Sequence, residues 1–155
     1  MSDIIFWRHA DAEPGVLDLQ RALTRKGEKQ AKRVAHWLHQ RLPASATLCV
    51  SPARRAQQTA LALAKLAPRE FITLDALAPS TRLDVALGAL RSTDRGRPVV
   101  VVGHQPTLGE LVARLLGIGV EEWPIRKGAL VWLTERNEGD DRRAVVRAAI
   151  TPDLV

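Results

Sequence analysis

Aromatic side chains are scarce in this sequence, which has two phenylalanines, four tryptophans and no tyrosine in 155 residues. That scarcity argues against a surface built to stack nucleobases. Cysteine is rarer still. Cys49 stands alone, which excludes an internal disulfide and any thiolate-cluster metal site. Its setting, TLCVSP, reads as a buried strand in which a free thiol behaves as a small hydrophobe. No apolar run approaches the ~20 residues that cross a bilayer, and the N-terminus has no basic segment leading into an apolar one. The expectation is a soluble, cytoplasmic protein, neither secreted nor associated with a membrane. Linkers, low-complexity segments and repeats are also lacking, so a single domain over residues 1–155 is the economical organisation.

What is present can build a core, since 46% of the residues are hydrophobic. The formal charge of +6 points to a negatively charged partner. The basic residues are spread along the chain and form no tract or recognised motif, which disfavours nucleic acid.

Short β-branched runs alternate with helical patterns. DIIFWR (3–8), ATLCVS (46–51), FITLD (71–75) and PVVVVG (98–103) read as strands. The valine run is apolar on both faces, as a central parallel strand between helices should be. Ala31, Val34, Ala35, Leu38 and Leu42 recur at three- and four-residue steps. So do Ala56, Ala60, Leu63, Ala64 and Ala67, and again Leu108, Leu111, Val112, Leu115 and Leu116. The segment 128–150 reads as two strands joined by a charged turn around Gly139, which makes one late strand antiparallel. The expected fold is a three-layer α/β/α sandwich on a mostly parallel sheet.

In such a sheet, ligands bind beyond the carboxyl ends of the strands. Arg8 and His9 fall at the end of the first strand. The second is followed by SPARRAQQTA (51–60), where Ser51 suits an N-cap and Pro52 the first helical position. Arg54 and Arg55 then occupy the first turn, where the helix dipole disfavours cations by ~0.3–1 kcal/mol each. An anion held there would reverse the sign of that penalty. After the fourth strand, Gly103 allows close approach, His104 emerges and Pro106 opens a helix. Three strand ends thus deliver Arg8 with His9, Arg55 and His104 to one edge, with no obvious neutralising carboxylate. Such a set describes a phosphate pocket.

The Arg8-His9 pair, the stretch from Ser51 to Ala60 and the Gly103-His104 pair resemble the histidine phosphatase superfamily, the phosphoglycerate mutase-like fold. The short chain, the RALT stretch at 21–24 continuing through Gly27, and the lack of an inserted helical subdomain resemble the SixA-type phosphohistidine phosphatases most. The likeness spans nearly the whole chain, with one departure: Ala10 stands where the family usually has glycine.

The resemblance implies that His9 attacks phosphorus as a neutral imidazole and forms a phosphoenzyme. Its tautomer would be fixed by a backbone carbonyl. Arg8 and Arg55 would clamp the nonbridging oxygens, and His104 would bind the equatorial ones as charge develops. Arg21 would line the rim and touch phosphate or substrate. Ser51 has two readings, helix capping and substrate contact. No cofactor or metal is implied, since these groups supply the charge. Family members that cleave phosphate esters often place an acid after the third strand. Ala76 matches that position here, with Asp75 and Asp84 nearby. A phosphorylated imidazole leaves more readily than an alkoxide, so the missing acid favours a phosphohistidine on a signalling protein. A small phosphorylated metabolite is the alternative substrate. A catalytically silent phosphoprotein-binding module is the reading from a different class, and it would lack the nucleophile that His9 provides.

Other residues have plainer readings. Arg54 is the structural or solvated member of its pair, and Gln58 and Thr59 fix local helix geometry. His36 and His39 lie on a helix without a third zinc ligand. Trp7 adjoins the pocket. The stripe Arg25, Lys29, Lys32 and Arg33 forms a polar helix face, or a docking surface for an acidic partner.

Overall fold

The computed structural model of the protein describes residues 3–138 and 141–155. The expected turn at Gly139 lies outside them. Strands β1 (Asp3–Arg8), β2 (Thr47–Val50), β3 (Phe71–Thr73), β4 (Val99–Gly103), β5 (Leu130–Glu138) and β6 (Asp141–Ile150) form a six-stranded sheet in the order β3-β2-β4-β1-β5-β6. β1 to β4 run parallel, and β5 pairs antiparallel with both β1 and β6. Helices α1 (Arg25–His39), α2 (Arg54–Ala64), α3 (Leu83–Thr93) and α4 (Thr107–Leu116) complete the architecture. Among the described residues, no helix is long and apolar enough to cross a membrane.

The alternation of side chains along the strands makes the three layers. Ile5 and Trp7 of β1, Leu48 and Val50 of β2, and Val100 and Val102 of β4 pack with Val34 and Leu38 of α1 and with Ala56, Ala60 and Leu63 of α2. Phe6, Cys49, Val99 and Val101 face the other way, onto Ala86 of α3 and Leu108, Leu111 and Val112 of α4. A strand buried on both faces has no polar side to spare, which is why β4 is written as four consecutive valines. Each large side chain so buried stabilises the fold by about 1.5–3 kcal/mol.

Several local expectations shift. FITLD is a strand only over Phe71–Thr73, and Asp75 begins a short 3₁₀ turn. Helix α2 begins at Arg54 with Ala53 in the N-cap position and no side-chain cap, so Ser51 is not its cap and Pro52 precedes the helix. Pro106 sits at the N-cap of α4, one residue before the helical turn. Helix α3 has no counterpart in the sequence reading. Its only fully buried residue is Ala86, while Leu83, Leu87 and Leu90 are partly covered.

Thr24 caps α1 by accepting from the Gly27 amide (3.0 Å) and donates to an Asp11 carboxylate oxygen (2.8 Å). At Gly27, a Cβ would collide with the Asp11 carbonyl, so glycine is required for close approach of the helix to the loop after β1. Alanine normally stabilises an exposed helix by about 1 kcal/mol over glycine. Gly27→Ala should have the opposite sign here, destabilising by about 1–3 kcal/mol through overpacking. Urea unfolding measures it, and an unchanged or raised midpoint would contradict the close approach.

Candidate active site

Register brings the two histidines together. Arg8 of β1 pairs with Gly103 of β4, so the next residue on each parallel strand leaves the sheet at the same level. The His9 amide donates to the Gly103 carbonyl (3.0 Å), and the Ser51 amide to the Val102 carbonyl (3.0 Å). The His9 and His104 rings lie 5.1 Å apart between centroids, tilted by 51°. Both are buried.

The proton on His9 can be located by its partners. Nδ1 lies 2.7 Å from the Ala10 carbonyl, which can only accept, so Nδ1 carries the hydrogen. Arg55 Nε donates toward His9 Nε2 at 3.4 Å, which makes Nε2 the acceptor and the ring neutral. Burial pulls the His9 imidazole down to about 4, against the favourable Ala10 contact, and the positive charges of Arg55, Arg8 and Lys127 push the same way. Burial, followed by His9 and Arg55, takes His104 down to about 3. Both rings are therefore neutral at pH 7.

Ser51 and His104 form a unit. Ser51 Oγ is 2.7 Å from His104 Nε2 and also accepts from the Ala53 amide (3.2 Å). Ser51 is fully buried. Its hydroxyl orients His104 and stiffens the turn into α2. His104 Nδ1 is buried without a hydrogen-bond partner among the described residues.

The arginines are set differently from one another. Arg55 is 4% exposed, while Arg54 is exposed. Arg55 Nη1 donates to the Asp18 carbonyl (2.7 Å) and Nη2 to the Asp18 carboxylate (3.1 Å). Arg21 Nη1 donates to the other carboxylate oxygen of Asp18 (3.0 Å), and Arg21 Nε to the Glu13 carbonyl (2.7 Å). The expectation of no neutralising carboxylate is thus corrected. Asp18, held below the usual carboxylate range by Arg21 and then Arg55, bridges the two arginines from a 3₁₀ turn (Asp18–Gln20) in the loop before α1. No periodic pattern marks Asp18. Only its place three residues before Arg21 could have drawn attention to it. Arg8 Nη1 donates to the Ile125 carbonyl (2.9 Å), and its buried Nε has no partner among the described residues.

The supporting residues explain the Ala10 departure. Ala10 is fully buried in a cluster with Leu23 and Ala31, so its methyl is absorbed by packing. Its amide donates to Thr59 Oγ1 (3.1 Å), and the Thr59 hydroxyl donates to the Arg55 carbonyl (2.7 Å). Gln58 accepts from the Leu23 amide (2.7 Å). Helix α2 is thereby fastened to the loop that follows His9. Trp7 is buried and donates to the Gly128 carbonyl (3.0 Å). Asp84 pairs with Arg82 (3.1 Å), and Asp75 is exposed. Neither carboxylate hydrogen-bonds to either histidine among the described residues. Nor, among those residues, do three His, Cys, Asp or Glu side chains converge on a point that could hold a metal ion.

A pH dependence follows from the buried imidazoles. Between the ordinary value of 6.5 and about 4, the unfolded chain takes up a proton that folded His9 refuses. Stability therefore falls as pH drops through that window, by about 2 kcal/mol from His9 alone between pH 7 and 5. Urea midpoints at these two pH values test this, and His9→Ala should flatten the slope. Equal midpoints in the parent protein would remove the claim that His9 is neutral because it is buried.

Residues 4–79 match the sequence profile described as the histidine phosphatase superfamily (branch 1). An uncharacterized protein of Picosynechococcus sp. is 38% identical over 115 residues, covering 70% of this chain and 69% of the relative. Among solved structures, the protein histidine phosphatase SixA complexed with tungstate superposes with a TM-score of 0.83 at 25% identity, covering 98% of both chains. A phosphoserine phosphatase of Entamoeba histolytica in complex with 3-phosphoglyceric acid shares the fold, with a TM-score of 0.71 at 14% identity and 96% of both chains covered.

Proposed function

This chain belongs to the histidine phosphatase superfamily and is a phosphatase, and we propose that it is a single-domain phosphohistidine phosphatase with His9 as nucleophile. The observation that carries this reading is the state of His9: Nδ1–H is tied to the Ala10 carbonyl, and Nε2 keeps a lone pair beside Arg55 and His104.

In the first step His9 Nε2 attacks phosphorus. A P–N bond to His9 forms as the P–N bond to the substrate imidazole breaks, and the departing ring leaves neutral with a proton it already carries. Water then attacks the phosphoenzyme, so that a P–O bond forms, the P–Nε2 bond breaks and phosphate is released. Splitting one displacement into two lowers each barrier. Arg8 and Arg55 bind the nonbridging oxygens through their guanidinium N–H groups, Arg55 by exchanging the Asp18 oxygens that its two Nη groups otherwise hold, and Ser51 holds His104 toward the equatorial ones. A bound dianion raises the proton affinity of His104, whose Nδ1 has no protein partner among the described residues. Arg21 acts through Asp18 on the orientation of Arg55. These groups carry enough positive charge for the transfer to proceed without a metal ion.

The likeness to SixA supports the nitrogen-linked substrate. So does Ala76, which stands where ester-cleaving members of the superfamily place an acid, because an alkoxide leaving group needs one. A panel of a histidine-phosphorylated protein domain, sugar phosphates and nucleotides tests the assignment. The phosphoprotein should be hydrolysed with a kcat/KM at least tenfold above any ester. Efficient ester hydrolysis with an intact phosphoprotein would make the protein a general phosphomonoesterase.

A further inference from the structure

A groove of about 830 Å³ opens beside the candidate active site, walled by the N-terminal half of α1, by residues 126–127 and by residues 151–153. Its lining includes Arg8, Arg25, Lys29, Arg33, Arg126 and Lys127, and its only acids are Asp11 and Asp153. Asp11 is already held by Lys127 (3.3 Å) and Thr24 (2.8 Å). Among the described residues, Arg25, Lys29, Arg33 and Arg126 make no ion pair within bonding distance. Glu122, whose field reaches Arg8, is not part of the lining.

The groove borders the candidate active site. Arg8 belongs to both, and the charge of Lys127 reaches His9. The Gly128 amide donates to the His9 carbonyl (3.0 Å), which ties the 126–128 wall to the nucleophile's own backbone.

Arg25, Lys29 and Arg33 follow one another at four-residue steps along α1, a span of about 12 Å. Like charges at this spacing repel, a cost that Glu28 on the same helix offsets only beside Arg25 and that an anionic partner along the groove would relieve. A single phosphate or small dicarboxylate is too short to meet all three. Carboxylates repeating along a helix have the matching pitch.

We propose that this groove docks an acidic helical face of the phosphorylated protein and so aligns its phosphohistidine with His9. The inference rests on the phosphohistidine reading above. The test uses the variant K29E/R33E, whose exposed side chains line the groove and make no contact with His9, Arg55 or His104. On a histidine-phosphorylated domain with an acidic helix, kcat/KM should fall about 10- to 100-fold at low ionic strength and its salt dependence should flatten, with hydrolysis of p-nitrophenyl phosphate unchanged. Equal kcat/KM and equal salt dependence in both proteins would overturn the docking site. A second arm measures binding of a fluorescent glutamate-rich helical peptide to the intact chain. If the phosphoprotein is not hydrolysed at all, the substrate reading fails, and this arm still decides the groove. At least tenfold weaker peptide binding by K29E/R33E supports docking, and equal binding overturns it. Tighter binding of inorganic polyphosphate than of the peptide would overturn the assignment to a protein partner.

Discussion

His9→Ala is expected to lower kcat by on the order of 10³-fold or more and to abolish a phosphoenzyme trapped by rapid quenching into alkali. The size follows from the chemistry assigned to one atom. Nε2 is the unprotonated nitrogen at the meeting point of β1, β4 and α2: the ring's hydrogen is held on Nδ1 by Ala10, and the Nε2 lone pair accepts only a long contact (3.4 Å) from Arg55 Nε among the described residues. Alanine removes the lone pair while Arg55 and His104 remain to bind an anion. Phosphate or tungstate should therefore still bind the variant within about tenfold of the parent affinity, which separates lost chemistry from lost folding. Wild-type turnover in His9→Ala would move the nucleophile elsewhere.

Arg55→Ala should reduce kcat/KM by about 10²- to 10³-fold, the range for removing a preorganised donor from a site of developing charge. Arg55→Lys should recover little, because one ammonium cannot reproduce a planar fork. A further signature distinguishes this role from a structural one. The positive charge of Arg55 is among the causes that hold His9 at about 4, so without it the His9 imidazole binds its proton more readily. The acid limb of the kcat/KM profile should move to higher pH in Arg55→Ala. An unmoved limb with full activity would mean that Arg55 serves only to anchor Asp18.

What the sequence reveals and what it hides divide along physical lines. The central strands are legible because burial on both faces demands unbroken β-branched runs, as in Val99 to Val102. Helices α1, α2 and α4 are legible because each buries a full stripe against the sheet. Helix α3 is not, since it covers the edge of the core and buries only Ala86 fully. At the candidate site, residues at strand ends can be read because a parallel sheet collects those ends on one rim. Side-chain partners across the fold cannot. Asp18 meets Arg55 across 37 positions, and nothing local to either residue announces the pair. Ser51 shows the same limit: a serine before a helix reads as a cap, yet its hydroxyl is spent on His104 and the Ala53 amide, and the helix begins later.

The Arg8–Gly103 pairing in the sheet has a consequence for how the protein comes into being on the ribosome. The two histidines are supplied by distant parts of the chain and become neighbours only when β4 slots in between β1 and β2. A nascent chain that has emerged through α2 carries His9 and Arg55 but has no competent centre. On the proposed mechanism, turnover would therefore report the docking of the last parallel strand.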